Sequence, residues 1–406
     1  MGCGGVTGLS TCLDIAVAGC GTAGLAAALL LARGGHRVTL YERFEAPRPV
    51  GSGLIVQPTG LAVLRALGLA EGVVAAGARI ERLFGTAEPS GRIVLDVRYH
   101  WLRAPYAVGI GIHRAALFGL LHNAVLAEGI RIETGRTVAG STIAPDGRRS
   151  LRFGDGLASP PHDLVVDALG TASPLAPATG RRLAYGALWA SLDWTDGFDG
   201  AALEQRYVRA STMTGVLPIG RAPGRERAQA AFFWLLRADR LAAWRQRGLD
   251  AWKAQVRALW PATSPLLDQI ADPDQLTFAC YAHRTLARPA EPALIHIGDS
   301  WHAASPQLGQ GANMALLDAW ALAKALGEET SLQAALARAV ALRRGHVRLY
   351  QALSALFTPA YQSDSRVLPF IRDHIVPPFG KMWPATRIQA AMVAGTFGRP
   401  LQRLGL

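Results

Sequence analysis

Lysine is nearly missing from this chain. Only Lys253, Lys324 and Lys381 occur among its 406 residues, so the formal charge of +12 is carried almost wholly by arginine. No basic run exceeds a pair such as Arg148-Arg149, Arg181-Arg182 or Arg343-Arg344. A nucleic-acid surface concentrates charge and interleaves aromatics. The excess therefore reads as compositional bias, and no nucleic-acid partner is expected. Cysteine is scarce too. Cys3, Cys12, Cys20 and Cys280 show neither paired nor metal-ligand spacing, and Cys20 lies in a glycine-rich stretch. No metal site is expected, and a reducing, cytoplasmic setting is.

Also absent is a convincing membrane span. Residues 15–32 are long enough and carry no charge, but Gly19, Gly21 and Gly24 suit a turn, and no basic start of a signal peptide precedes them. The opening Met1-Gly2-Cys3-Gly4-Gly5-Val6 has valine where a myristoylation signal needs Ser or Thr. No integral membrane segment is expected. No Ser-His-Asp arrangement, metal-ligand cluster or well-spaced carboxylate pair is visible either.

What the chain does have is α/β patterning. After a loose tail over residues 1–13, Asp14–Ala18 reads as a buried strand, Thr22–Arg33 as a helix ended by Gly34-Gly35, and Arg37–Tyr41 as a second strand. This is a βαβ unit, so the strands should be parallel and the crossover right-handed. Short alternating strands follow over 76–104, then a helix over 114–128 and a strand over 163–168. Residues 185–283 are strand-rich and aromatic, with Trp189, Trp194, Tyr207, Phe232, Phe233 and Trp234, and include an amphipathic helix near 239–260. A strand over 293–297 and a helix over 311–326 come next. The last stretch reads as helices broken by Pro359, Pro369, Pro377, Pro378 and Pro384.

Two motifs carry chemistry. Gly19-Cys20-Gly21-Thr22-Ala23-Gly24 fits G-x-G-x-x-G between a strand and a helix, the context in which it binds a dinucleotide. Gly19 permits the tight turn, Gly21 the approach of a pyrophosphate, and Gly24 close packing of helix on strand; the helix start supplies N–H groups and a positive dipole end. Glu42, ending the second strand, is expected to bind both ribose hydroxyls and to disfavour a 2′-phosphate. This motif does not separate NAD from FAD. The second motif does. Gly298-Asp299 follows a strand and leads through His302, Pro306 and Gly309 to Gly311-Ala312-Asn313 and a helix. Asp299 suits a polyol chain, and the helix start suits the electron-rich pyrimidine edge of a reduced flavin. His302 is expected to be structural rather than a proton relay.

Together these motifs resemble the p-hydroxybenzoate hydroxylase-like FAD-dependent monooxygenases, group A of the flavoprotein monooxygenases, over about residues 14–357. Gly19 to Gly24 with Glu42-Arg43 match that family's first FAD motif, and Gly298-Asp299 through Asn313 its second. Gly111-Ile112-His113-Arg114 resembles its segment in which an arginine contacts the cofactor, a role carried here to Arg114. Gly51 to Pro58 resembles the loop after the second strand. The resemblance implies an α/β fold: a Rossmann-like FAD-binding domain (14–75, 105–183 and 285–350), an inserted mixed-sheet substrate domain (76–104 and 184–284), and a C-terminal helical segment (351–406). It implies FAD, dioxygen, NAD(P)H as transient reductant, and a small organic substrate, aromatic or polyketide-like, hydroxylated through a flavin C4a-hydroperoxide. Pro306 and the loop to Gly309 would line the oxygen side of the flavin, and the sheet carrying Tyr207, Arg209 and Trp234 would roof the substrate. A homodimer is the assembly left open. One departure stands out: the family's usual Ala-Asp-Gly turn reads Ala168-Leu169-Gly170, which argues against easy reduction by free NAD(P)H unless Asp167 substitutes. Flavin halogenases share the fold, but their Trp-x-Trp-x-Ile-Pro signature and early lysine are missing. A flavin-dependent reductase or dehydrogenase, or a non-redox flavin-binding catalyst, are the alternatives.

Overall fold

A computed structural model describes residues 12–46, 52–104, 107–375, 380 and 382–406. Gly51, Pro377, Pro378 and nearly all of the expected N-terminal tail lie outside these residues. The βαβ unit forms as the sequence implies, with Asp14–Ala18, Thr22–Arg33 and Arg37–Tyr41 as its elements. The strands join a six-stranded sheet in the order Ala290–Glu291, Leu294–His296, Leu164–Asp167, Asp14–Ala18, Arg37–Tyr41, Arg131–Glu133. All neighbours run parallel except the first pair. Its central strands are short, continuous and apolar because both faces are covered. The helices Thr22–Arg33 and Gly311–Glu328 pack against each other, and each is apolar around most of its circumference.

A second, seven-stranded mixed sheet runs in the order Thr277–His283, Arg181–Asp193, Gln229–Arg237, Thr212–Pro218, Ala202–Val208, Arg82–Ala87, Arg92–Arg98. Only the Ala202–Val208 and Arg82–Ala87 pair is parallel. One face is sealed by Trp244, Trp252, Val256 and Trp260 from the helical segment beneath it. That segment is not the single helix expected over 239–260. Gly248, with φ of 84°, splits it into Leu241–Arg247 and Leu249–Leu259. A three-stranded sheet of Gly53–Val56, Gly109–His113 and Ala78–Ile80 stands between the two large sheets.

The C-terminal third differs from the pattern of proline breaks. Helix Leu332–Tyr361 runs unbroken for 30 residues with Pro359 inside its last turn, and it crosses the boundary expected at residue 350. Near Pro359 the Thr358 hydroxyl donates back to the Ser354 carbonyl at 2.6 Å, a contact that often accompanies a bend in a helix. Pro369 lies in the short helix Val367–Phe370, and Pro384 caps Ala385–Val393.

Candidate active site

The first motif is shaped by its glycines. Gly19 has φ of 102°, and a Cβ on Gly24 would overlap the Gly19 carbonyl, so the turn and the close helix approach both exclude side chains. Gly21, by contrast, faces open space. Helix Thr22–Arg33 begins with neither a side-chain cap nor an acidic residue in its first turn. Its N–H groups are therefore free to meet an anion. Glu42 is buried; its carboxylate accepts the Cys20 N–H at 2.9 Å and the Phe44 N–H at 3.2 Å. Burial, and then the charge of Glu42, push the Cys20 thiol up to about 12, so it stays protonated. The Arg43 guanidinium lies over the Phe44 ring.

The second motif begins where Gly298, at φ of 59°, wedges between Ala23 and Ala315. This wedge joins the two motifs, which are far apart in sequence. Pro306 and Gly311 are exposed, Gly309 and Ala312 half-buried. Helix Gly311–Glu328 also starts with no side-chain cap and no acid in its first turn. The Asn313 side chain is spent internally: it accepts the Gln57 N–H at 2.8 Å and donates to the carbonyls of Ile55 and Gly309. His302 is buried and donates to Asp318 at 2.5 Å.

Asp299 and Arg114 lie in the cleft between these motifs, and neither side chain has a hydrogen-bond or ion-pair partner among the described residues. Both side chains are exposed, but protein packed closely around them disfavours their charged forms. Desolvation raises the Asp299 pKa, opposed by His302 and Arg114, and lowers that of Arg114, opposed by Asp299 and Tyr281. Charges left unpaired in a desolvated cleft call for a polar ligand. The buried Nε2 of Gln57 and of Gln307 also lack partners among the described residues. Two uncapped helix starts, an unpaired carboxylate and an arginine fit a dinucleotide flavin.

A family model described as "FAD binding domain" matches residues 12–341. The 6-methylpretetramide 4-monooxygenase of Streptomyces rimosus is 30% identical, the alignment covering 94% of this chain and 88% of that protein. The aurachin C monooxygenase/isomerase of Stigmatella aurantiaca is 28% identical over 82% of this chain and 86% of its own. This chain belongs to the FAD-binding family of flavoprotein monooxygenases. Its fold is shared with 2-methyl-3-hydroxypyridine-5-carboxylic acid oxygenase at a TM-score of 0.77 and 20% identity, over 97% of this chain and 98% of that one. It is likewise shared with HpxO of Klebsiella pneumoniae, complexed with FAD and uric acid, at a TM-score of 0.75 and 18% identity, over 94% and 97%.

On the substrate side, this monooxygenase departs from the sequence expectation. Trp234 pairs with Leu188 and Thr214 and turns toward Trp252, the face sealed by helices. The reason is register: neighbours one residue along, Trp189 and Phe233, take the opposite face. There Trp189 donates its Nε1–H to the Tyr281 hydroxyl at 2.9 Å, and Tyr281 and Arg114 lie near enough for each to perturb the other's titration. Burial pushes Tyr281 up to about 12, so it is a neutral donor, and its own proton has no acceptor among the described residues. Tyr207 is fully buried on the Phe233 side, against Tyr361 and beneath the Arg372 guanidinium. Arg209 sits at an exposed turn with φ of 55°, its carbonyl accepting from Arg372.

A further line crosses from the three-stranded sheet. His113 Nδ1 accepts the Ala115 N–H at 3.1 Å, which leaves Nε2–H to donate to the Ser191 hydroxyl at 3.2 Å. Ser191 and Ser52 share a hydrogen bond of 2.8 Å. Burial, then Arg114, lower the His113 pKa and keep this neutral tautomer. Sequence reasoning missed Tyr281, Ser191 and Trp189 because strand alternation reports two faces without saying which one meets the cleft. Asp167 does not substitute at the Leu169 turn. It is fully buried and committed to the Leu169 N–H, the Ser173 hydroxyl and His296 Nδ1, at 3.0, 2.6 and 2.6 Å.

Proposed function

We propose that this monooxygenase hydroxylates a planar, polycyclic aromatic or polyketide-like substrate held between the flavin cleft and the face bearing Trp189, Phe233 and Tyr281. The observation that carries the reading is the pair of unpaired charges, Arg114 and Asp299, next to an aromatic face whose Tyr281 proton is free. The polyketide class is supported by the 30% identity to the 6-methylpretetramide 4-monooxygenase.

Bound in the cleft, FAD supplies the chemistry by which electrons from NAD(P)H and one dioxygen become a substrate hydroxyl and a water. The start of helix Thr22–Arg33, with Gly19, Gly21, Ala23 and Gly24, would hold the pyrophosphate, and Glu42 the adenosine ribose. Arg43 flanks that end. Asp299 would hold the ribityl chain with Arg114 beside it, and the amides at Gly311, Ala312 and Asn313 the pyrimidine edge. Pro306 and Gly309 would shape the wall next to the reacting carbon and exclude water from it. The Tyr281 hydroxyl orients an oxygen of the substrate, and Trp189 fixes the Tyr281 lone pair so that its proton points away from the sheet. Tyr207 packs with Phe233 on this same face and supports it from the side, and Arg209 lies outside the pocket. Leu169 slows reduction by free NAD(P)H, so substrate binding gates it. A cytoplasmic setting and a homodimer complete the reading.

The test is to load the protein with FAD and screen planar polycyclic phenols for faster flavin reduction by NADH and NADPH, in wild type and in Leu169→Asp. Oxygen uptake matched by hydroxylated product supports the reading. Turnover of an alkene without oxygen uptake would replace it with the reductase alternative.

A further inference from the structure

The family match ends at residue 341, yet the chain beyond it reaches back into the flavin site. Beyond helix Ala385–Val393 the backbone turn satisfies only the Met392 carbonyl, with the Gly395 N–H at 3.3 Å, and the carbonyls that follow need partners from elsewhere. Four consecutive carbonyls there are each taken by a side chain from another element. Met392 accepts the Tyr350 hydroxyl at 2.8 Å, Val393 the Gln310 Nε2–H at 2.5 Å, Ala394 the Thr59 hydroxyl at 3.4 Å, and Gly395 the His346 Nε2–H at 3.1 Å.

Two of these bonds lead straight to the second flavin motif. Gln310 is the residue before helix Gly311–Glu328, the position from which a side chain ordinarily caps the helix start. Here the side chain points backward to Val393, so the first N–H groups stay free for a ligand, and its Oε1 is left buried without a partner among the described residues. His346 accepts the Arg343 Nη1–H at Nδ1, 2.9 Å, and Arg343 Nε donates to Asp318 at 2.7 Å. The same Asp318 carboxylate accepts the Gly298 N–H at 2.9 Å, next to Asp299. Arginine can only donate, so the polarity of the line from Gly395 to Gly298 is fixed.

We propose that the turn at residues 392–395 is an anchor that sets the flavin-binding loop, with Gln310 and His346 as its positioning residues. Gln310 holds the helix start toward the pyrimidine edge, and the His346–Arg343–Asp318 line holds the strand end that carries Asp299. Neither residue touches the cofactor.

The test compares Gln310→Met, which keeps the shape but cannot donate, with His346→Leu and with His346→Gln, whose amide can both accept from Arg343 and donate to Gly395. Three quantities are read: FAD affinity by fluorescence quenching, the visible circular dichroism of bound FAD, and the melting temperature of the apoprotein. Gln310→Met and His346→Leu are expected to weaken FAD about tenfold, the size of one or two lost hydrogen bonds, and to change the flavin dichroism. His346→Gln is expected to restore both. Should His346→Leu fail to fold, Gln310→Met decides alone, because it removes one bond from the rim of the core. Wild-type FAD affinity and dichroism in a folded Gln310→Met variant would overturn the proposal, as would a loss confined to apoprotein melting.

Discussion

The two halves of the flavin site are built in opposite ways. The first, from Asp14 to Glu42, is held by neighbours in sequence: a strand, a turn that only glycine allows, a helix and a returning strand. The second, from Gly298 to Asn313, is held by residues outside it, most of them far away in sequence. Asp318, Arg343 and His346 fix its strand end, Gln57 and Ile55 bracket Asn313, and Val393 holds Gln310. A local motif tolerates change elsewhere. A bracketed loop inherits the stability of everything that brackets it.

The sharpest way to break this contrast is at Asp318. Burial would raise its pKa, but His302 and Arg343 more than offset that and hold it at about 2. Asp318→Ala leaves the buried Arg343 guanidinium unpaired and is expected to cost about 3–5 kcal/mol of stability, measured by urea denaturation. A loss under 1 kcal/mol would mean that the second half does not depend on its brackets.

In the first half the matching change is Glu42→Ala. It is expected to weaken FAD binding by about 1.5–3 kcal/mol, the worth of charged hydrogen bonds, with a smaller effect on the fold. Unchanged FAD affinity in a folded variant would assign the adenosine ribose to other residues.

Acid should also act first on the second half. Burial, then Arg343, lower the His346 pKa to about 3 from its ordinary 6.5. Between those values the unfolded chain holds a proton that the folded one does not, so stability falls as pH drops from 6.5 toward 3, by up to about 1.4 kcal/mol per pH unit. His346→Gln should flatten the pH dependence of the melting temperature over this range; an unchanged slope would assign the acid sensitivity to other groups.

The smallest effect separates the two faces of the large sheet. Trp189→Phe removes the hydrogen bond to Tyr281 and should raise the KM for the substrate a fewfold, on the order of 1 kcal/mol. Trp234→Phe, on the sealed face, should change stability and leave KM alone. The reverse pattern would return Trp234 to the pocket.

Legibility followed the same division. The βαβ elements appear at the residues the periodicity implies, because glycine turns and apolar strands are decided within a few residues. The helix expected over 239–260 is broken because the φ of 84° at Gly248 could be taken up or left unused, and packing of Trp244 and Trp252 under the sheet chose the break. His302 gave no sign of its partner, since Asp318 lies sixteen residues on and meets it only in the folded core.

By itself, then, the sequence determined that two helix starts with glycine turns and an acidic residue each would form, since backbone sterics and dipoles act locally. Only the tertiary structure decided that Gly298 wedges between Ala23 and Ala315 and that Trp189 rather than Trp234 joins the Arg114 side. It also decided that residues 392–395 close on Gln310. Those outcomes depend on strand register and on contacts between segments far apart in sequence, and no local pattern encodes which of two faces, or which distant carbonyl, a side chain will meet.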